Sequence, residues 1–177
     1  MESTETKLKG LDKALQKITY GFYIVTARKD ATDLETRDKD YIAAGTVSWA
    51  MQSSFEPPMI TIAIKNDSDL RETIERAEAF ALTVLGKDDE QLITRFATES
   101  NPNMLQINGM DYKDGEVTGS PLVKTGIAHL ECELEKTVPN RGDHILFMGR
   151  VVNVDLRDKD SEPLYEWETR HHYGGTK

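Results

Sequence analysis

The sequence holds a single cysteine, Cys132, among its 177 residues. That excludes an internal disulfide and any metal cage built from thiolates. Long hydrophobic runs are absent as well. AAGTVSWAM is interrupted by Gly and Ser and FALTVL is short, against the roughly 20 apolar residues a membrane span needs. Basic clusters are missing too: 22 Lys and Arg stand against 31 Asp and Glu, for a net charge of −9. Such a field repels phosphate backbones and anionic headgroups, so neither nucleic acid nor a membrane is expected as a partner. Met1 to Thr6 are polar with an acidic bias, unlike a secretory leader, and the cytoplasm is the expected location. Gly-x-Gly-x-x-Gly, the phosphate loop, Gly-x-Ser-x-Gly and His-Glu-x-x-His do not occur.

What is present is a chain with 38% hydrophobic and 30% charged residues, which suits one globular domain over residues 1–177. Leu8, Leu11, Leu15 and Ile18 recur at helical steps and predict an N-terminal helix, weakened at Gly10. Phe22 to Ala27 reads as a buried strand, and residues 28–40 as a charged loop. The chain is apolar again from Tyr41 to Met51. Pro57-Pro58 marks a turn into a strand over Met59 to Ile64. Ser68 is placed to cap a helix over Asp69 to Ala77. A strand over Phe80 to Leu85 and a helix over Asp88 to Phe96 follow, the latter turning Leu92, Ile93 and Phe96 inward. Residues 98–119 read as an irregular excursion lying over a site. Ile127 to Glu135 alternates strictly, which predicts a half-exposed strand with His129, Glu131, Glu133 and Glu135 on its wet face. A turn over Pro139 to Asp143 and a strand over Ile145 to Val154 complete the chain. The sum is an α+β, mostly β protein built on an antiparallel barrel with flanking helices; the resemblance described below makes that a split β-barrel.

Few residues announce chemistry. His171 and His172 are neighbours beside a Gly-rich terminus, where two imidazoles rarely face one ion, and no metal site is expected. Cys132 faces the core side of its strand, as a small buried hydrophobe does. The segment Ala44 to Pro58 differs. Its small residues leave backbone open to a flat ligand, and Thr46, Ser48, Ser53 and Ser54 bring hydroxyls; an ordinary strand and loop has the same composition.

G-T-V-S-W-A-M-Q-S-S-F-E-P-P followed by M-I-T-I-A-I resembles the signature of the flavin reductase-like family of FMN-binding split-barrel proteins. A-L-Q-K-I-T-Y-G-F-Y-I-V-T-A, A-F-A-L-T-V-L, I-T-R-F-A, S-P-L-V-K-T-G-I-A-H-L-E-C-E-L and R-G-D-H-I-L-F-M-G-R-V-V follow in the family's order. The ending, Pro163-Leu164-Tyr165 and then Arg170 to Gly175, is similar to members fused to rubredoxin or diiron modules. The resemblance covers roughly residues 8–177. It implies a homodimer holding FMN, with NAD(P)H as transient hydride donor and a flavin, an iron centre or a redox partner protein as acceptor; the alternative is an FMN electron carrier without NAD(P)H activity. It assigns cofactor contacts to Thr46, Val47, Ser48, Trp49, Ala50, Met51, Gln52, Ser53 and Ser54, and to Phe96. The phosphate is expected at Lys65, Asn66 and Ser68, where a helix N-terminus favours an anion, with Arg71 adding charge and Asp67 and Asp69 opposing it. Gly142-Asp143-His144 matches a motif beside the flavin and nicotinamide, which makes His144 the candidate catalytic residue; a turn cap reads the same way.

Overall fold

The computed structural model describes residues 9–29, 42–103 and 105–175. Leu8, the first residue of the expected helix, and the segment 30–41, which holds most of the expected charged loop, lie outside the described residues.

Among the described residues ten strands form the body: β1 (Tyr23–Arg28), β2 (Ile42–Val47), β3 (Ala50–Phe55), β4 (Pro58–Lys65), β5 (Ala79–Val84), β6 (Gln106–Ile107), β7 (Met110–Asp114), β8 (Pro121–Val123), β9 (Ala128–Val138) and β10 (His144–Leu156). Three α-helices accompany them among the described residues: α1 (Leu11–Leu15) before β1, α2 (Asp69–Ala77) between β4 and β5, and α3 (Gln91–Phe96) between β5 and β6. Seven strands make one sheet in the order β2-β1-β5-β9-β10-β4-β3, and β6-β7-β8 make a second. Every pairing is antiparallel. In the larger sheet β2 and β3 are the edges.

Both faces of the central strands are covered, which explains why Phe22 to Ala27 reads as an unbroken apolar run. Val25, Ala27, Phe80, Cys132 and Phe147 pack with Ile62 and Ile64 on one face, closed by Leu70 and Ile74 of α2. Phe22, Ile24 and Leu85 pack on the other with Leu92, Ile93 and Phe96 of α3, Ile107, Val123 and Leu164. Helix α2 begins where the sequence predicts. Ser68 is extended and its Oγ accepts the Arg71 N–H, while Glu78 ends the helix in the left-handed region.

Three expectations are corrected. The N-terminal helix is only one turn and a half, with none of its residues buried, and Ile18 lies exposed beyond it. Gly10 at its N-cap adopts φ 81 with no side-chain cap, and so short a helix gains little without a packed face. From Ile42 onward the apolar stretch forms the two strands β2 and β3, parted at Ser48 and Trp49. Finally, the polar face of β9 is not wet at its first half. His129 and Glu131 are 2% and 1% exposed. The supposedly irregular excursion carries β6 and β7, and its following turn sits on this face: Glu131 accepts the backbone N–H groups of Glu116, Val117 and Thr118, the Thr118 hydroxyl and the Asn153 amide. Only Glu133 and Glu135 behave as expected, both held by the Arg150 guanidinium across the ladder.

Candidate functional site

A cavity of about 650 Å³ opens between the start of α2, the end of α3 and the C-terminal segment. Its walls come from four places in the chain. Edge strand β2 gives Ala44 to Val47, followed by Ser48; β4 gives Ala63 to Lys65, leading to Asp67–Leu70. Ile93, Phe96 and residues 97–100 form a third side, and His171, His172 and Tyr173 a fourth, with Phe22 and His144 completing the lining.

The β2 wall is flat because its residues are small, and Gly45 faces Leu70 so closely that a Cβ there would lie 3.2 Å from Leu70 Cδ2. As an edge strand, β2 has one row of backbone groups free of ladder bonds. Ser100 takes up those of Ala44, accepting its N–H at 2.8 Å and donating to its carbonyl at 3.0 Å. Two residues on, Thr46 turns its backbone groups the same way, into the cavity wall. Its hydroxyl donates to the Ile93 carbonyl and ties β2 to α3.

Lys65, Ser68 and His144 converge because β4 and β10 pair in register, with His144 opposite Lys65. Asn66 clamps the turn before β10: its N–H donates to the Asp143 carbonyl and its side-chain amide to the Gly142 carbonyl, each at 3.0 Å. His144 is buried, with Nδ1 2.7 Å from Asp143 Oδ1 and Nε2 2.9 Å from the Tyr173 hydroxyl. A carboxylate only accepts, so Nδ1 carries the proton in the neutral ring and Nε2 accepts from Tyr173. Burial raises the Tyr173 phenol above its ordinary value, and the Asp143 charge adds to it, so it stays a donor at neutral pH. The Trp49 ring lies 4.6 Å from His144 and 5.2 Å from Tyr173, centroid to centroid. The C-terminal segment is held there by Glu166, a nearly buried carboxylate that accepts the N–H groups of Tyr173 and Gly174.

Of the residues singled out in the sequence, Thr46, Val47, Ser48, Lys65, Ser68, Phe96 and His144 line the cavity together. Trp49 stands behind the wall against His144, and Asn66 supports it. Ala50, Met51, Gln52, Ser53 and Ser54 lie on the outer edge strand β3, away from the lining. Met51 is 61% exposed; Ser53 accepts the Thr61 hydroxyl across the hairpin. Arg71 is also absent from the wall, drawn 3.0 Å to Glu75. Sequence reasoning missed Tyr173, Phe22 and Ser100 as wall residues. Nothing local marks them, since each reaches the cavity from a distant segment.

The walls suit a planar heteroaromatic group. Phe22, Ile64, Leu70, Ile93 and Phe96 supply apolar area, the β2 edge supplies backbone donors and acceptors, and Ser48, Lys65, Ser68 and His144 add a few polar groups. The family model described as the flavin reductase like domain matches residues 15–175. An NADH-dependent FAD reductase of Streptomyces globisporus is 32% identical over 57% of this chain and 56% of its own length. A high molecular weight rubredoxin of Moorella thermoacetica is 30% identical over 80% of this chain and 58% of its own. The chain therefore spans little more than half the length of these curated relatives. In three dimensions it is similar to the NADH:FAD oxidoreductase of Streptomyces globisporus C-1027, with a TM-score of 0.72, 23% identity and coverage of 93% of this chain and 92% of that one. At that identity the likeness establishes the fold. Among the described residues no helix is long and apolar enough to cross a membrane.

Proposed function

The chain belongs to the flavin reductase-like domain family, and on that footing we propose that its cavity binds a flavin, FMN among them, and that NAD(P)H reduces it there. When bound, the flavin supplies a ring nitrogen, N5, that takes a hydride with its two electrons from C4 of the nicotinamide. The residues of this chain bind and orient. Thr46 and its neighbours on β2 offer backbone groups to the polar edge of the ring, and the apolar walls exclude water from its faces. His144, fixed by Asp143 on one nitrogen and Tyr173 on the other, presents a rigid ring edge beside Lys65. It seats the nicotinamide, since hydride transfer asks for close stacking rather than an acid or base.

The observation that supports this most is the convergence of Thr46, Val47, Ser48, Lys65, Ser68, Phe96 and His144, distant in sequence, on one cavity. Steady-state oxidation of NADH and NADPH by the purified chain, with and without added flavin, tests it. Flavin-dependent oxidation is expected; none with either nucleotide would leave the second reading, an electron carrier reduced by another protein. The rubredoxin relative favours that second reading, and the acidic surface suits a basic partner.

We read the seven-stranded sheet, with β2 and β3 at its edges, as a split barrel parted between those two strands. The assembly proposed is a homodimer through β3, whose Met51 and Phe55 are 61% and 90% exposed on an unpaired edge. That arrangement would give Ala50 to Ser54 a role at the partner's cavity instead of their own. Light scattering on the eluting protein tests it: a dimer mass is expected, and a monomer mass retained at high concentration would contradict it.

A further inference from the structure

Outside the cavity lining, Tyr165 and Trp167 stack face to face, with ring centroids 4.9 Å apart and planes 13° from parallel. Trp167 is 63% exposed, so with one face on Tyr165 the other face of its indole is open to solvent. Backbone bonds hold the pair in place. Tyr165 bridges Gly21, the Glu166 N–H donates to the Tyr20 carbonyl, and a single 3-10 turn over Glu166–Glu168 carries Trp167. The Glu168 N–H donates to the Tyr165 carbonyl while Glu168 Oε2 accepts the Tyr165 N–H, which closes the turn on itself.

Carboxylates surround this platform. From Asp158 to Glu168 the chain carries Asp158, Asp160, Glu162, Glu166 and Glu168 against the single cation Lys159. Glu168 Oε1 lies 3.1 Å from Lys87 Nζ, and Glu162 bonds the same ammonium, so two carboxylates beside the rings share one cation. Glu166 turns inward and accepts the N–H groups of Tyr173 and Gly174, which ties the platform's turn to the C-terminal wall of the cavity.

These features select an occupant. An apolar surface laid on Trp167 would strip water from Glu162 and Glu168 and leave them short of partners, a cost that opposes the gain from ring burial. A guanidinium meets both needs, since it stacks flat on an indole and its edge donates in pairs to a carboxylate. A lysine ammonium answers the charge but has no plane to stack. The net charge of −9 attracts a basic partner from further away.

We propose that the Tyr165–Trp167 platform, with Glu162 and Glu168, docks an arginine of a basic partner protein, its guanidinium flat on the Trp167 indole. Because Glu166 joins the same turn to Tyr173, the docked partner sits beside the C-terminal wall of the cavity. That this partner exchanges electrons with the chain rests on the flavin reading above; the docking itself does not.

The test uses two fluorescein-labelled peptides of equal charge, tetra-arginine and tetra-lysine with Gly-Ser spacers, titrated with the whole chain at about 50 mM salt and read by anisotropy. The arginine peptide is expected to bind about threefold or more tighter than the lysine peptide. Trp167→Ala should bring the two to within about 1.5-fold of each other by weakening the arginine peptide alone, whereas Trp167→Phe, which keeps a ring on Tyr165, should retain a preference of about twofold. Equal binding of both peptides by the unaltered chain would overturn the proposal, because net charge alone then attracts them. An arginine preference that survives in Trp167→Ala would overturn it too. So would light scattering that shows a smaller species for Trp167→Ala than for the unaltered chain, which would give the platform to a second copy. A chain that binds no flavin yet keeps the Trp167-dependent arginine preference would support the docking site and remove only its electron-transfer role.

Discussion

The Tyr173 hydroxyl donates to Nε2 of His144 across 2.9 Å and so fastens the C-terminal segment to the first residue of β10. Asp143 closes the other side of the imidazole at 2.7 Å, leaving the ring no rotational freedom and one neutral tautomer. Tyr173→Phe keeps the aromatic contact with Trp49 and removes only the donor. Its expected cost is about 0.5–1.5 kcal/mol in chemical denaturation, the net worth of one hydrogen bond. Flavin reduction by nicotinamide should slow several-fold with flavin affinity little changed, because His144 is then held on one side only, by Asp143. Unaltered reduction kinetics would contradict that role.

His144→Ala goes further and empties the space beside Lys65. Reduction of bound flavin is expected to fall about tenfold or more while the flavin dissociation constant moves by less than about threefold, since the lost interaction acts on the nicotinamide and its geometry. Single-turnover kinetics separate the two. Normal reduction would return His144 to capping the turn before β10.

Acid should destabilise the fold from above pH 6. Burial pushes the His129 imidazole down to about 4, helped by the positive charge of Arg157. Between its ordinary value near 6.5 and that depressed one, the unfolded chain binds a proton that the folded chain refuses, so stability falls as pH drops through this window and levels off below it. Burial works against ionisation of Glu131, but the bonds from Thr118, Asn153 and Val117 outweigh it and hold the carboxyl below its ordinary range. Its contribution is lost further down, as pH falls below about the usual carboxylate value. Urea unfolding at about pH 7.5 and about pH 4.5 should differ by about 1–3 kcal/mol from the His129 effect alone, and His129→Gln should flatten that part of the curve. A wild-type profile flat across this range would contradict the buried neutral imidazole.

Gly149 lies where β10 crosses the core. A Cβ there would sit 2.6 Å from Phe80 Cε1 and 2.8 Å from Cys132 Cβ, both of them wholly buried. Gly149→Ala is expected to destabilise by about 1–3 kcal/mol with the cavity untouched, which denaturation and flavin titration together would establish.

Much of the fold was legible because it is local. Ser68 as a cap, the buried run of β1 and the inward face of α3 each follow from neighbours within a turn or a strand. His129 and Glu131 were misjudged for the opposite reason: alternation tells which side chains share a face, not what later covers it. Here a turn near residue 117 supplies the N–H groups that make a buried carboxylate tolerable. The candidate site divides the same way. Thr46 to Ser48 and Lys65 to Ser68 were readable as small-residue strand and helix start, whereas Tyr173 meets His144 only through the path of the last residues of the chain. Met51 to Ser54 belong to the same resemblance yet lie on an outer edge, because Ser48 and Trp49 break the strand and send the chain away from the cavity.

The most direct test of the central claim is anaerobic mixing of the flavin-loaded protein with NADH and, separately, NADPH while the visible flavin absorbance is followed. Rapid bleaching with at least one nucleotide, slowed in His144→Ala, is the result expected of a cavity that holds both rings in contact. Flavin that stays oxidised with either nucleotide, yet bleaches with a chemical reductant, would contradict it.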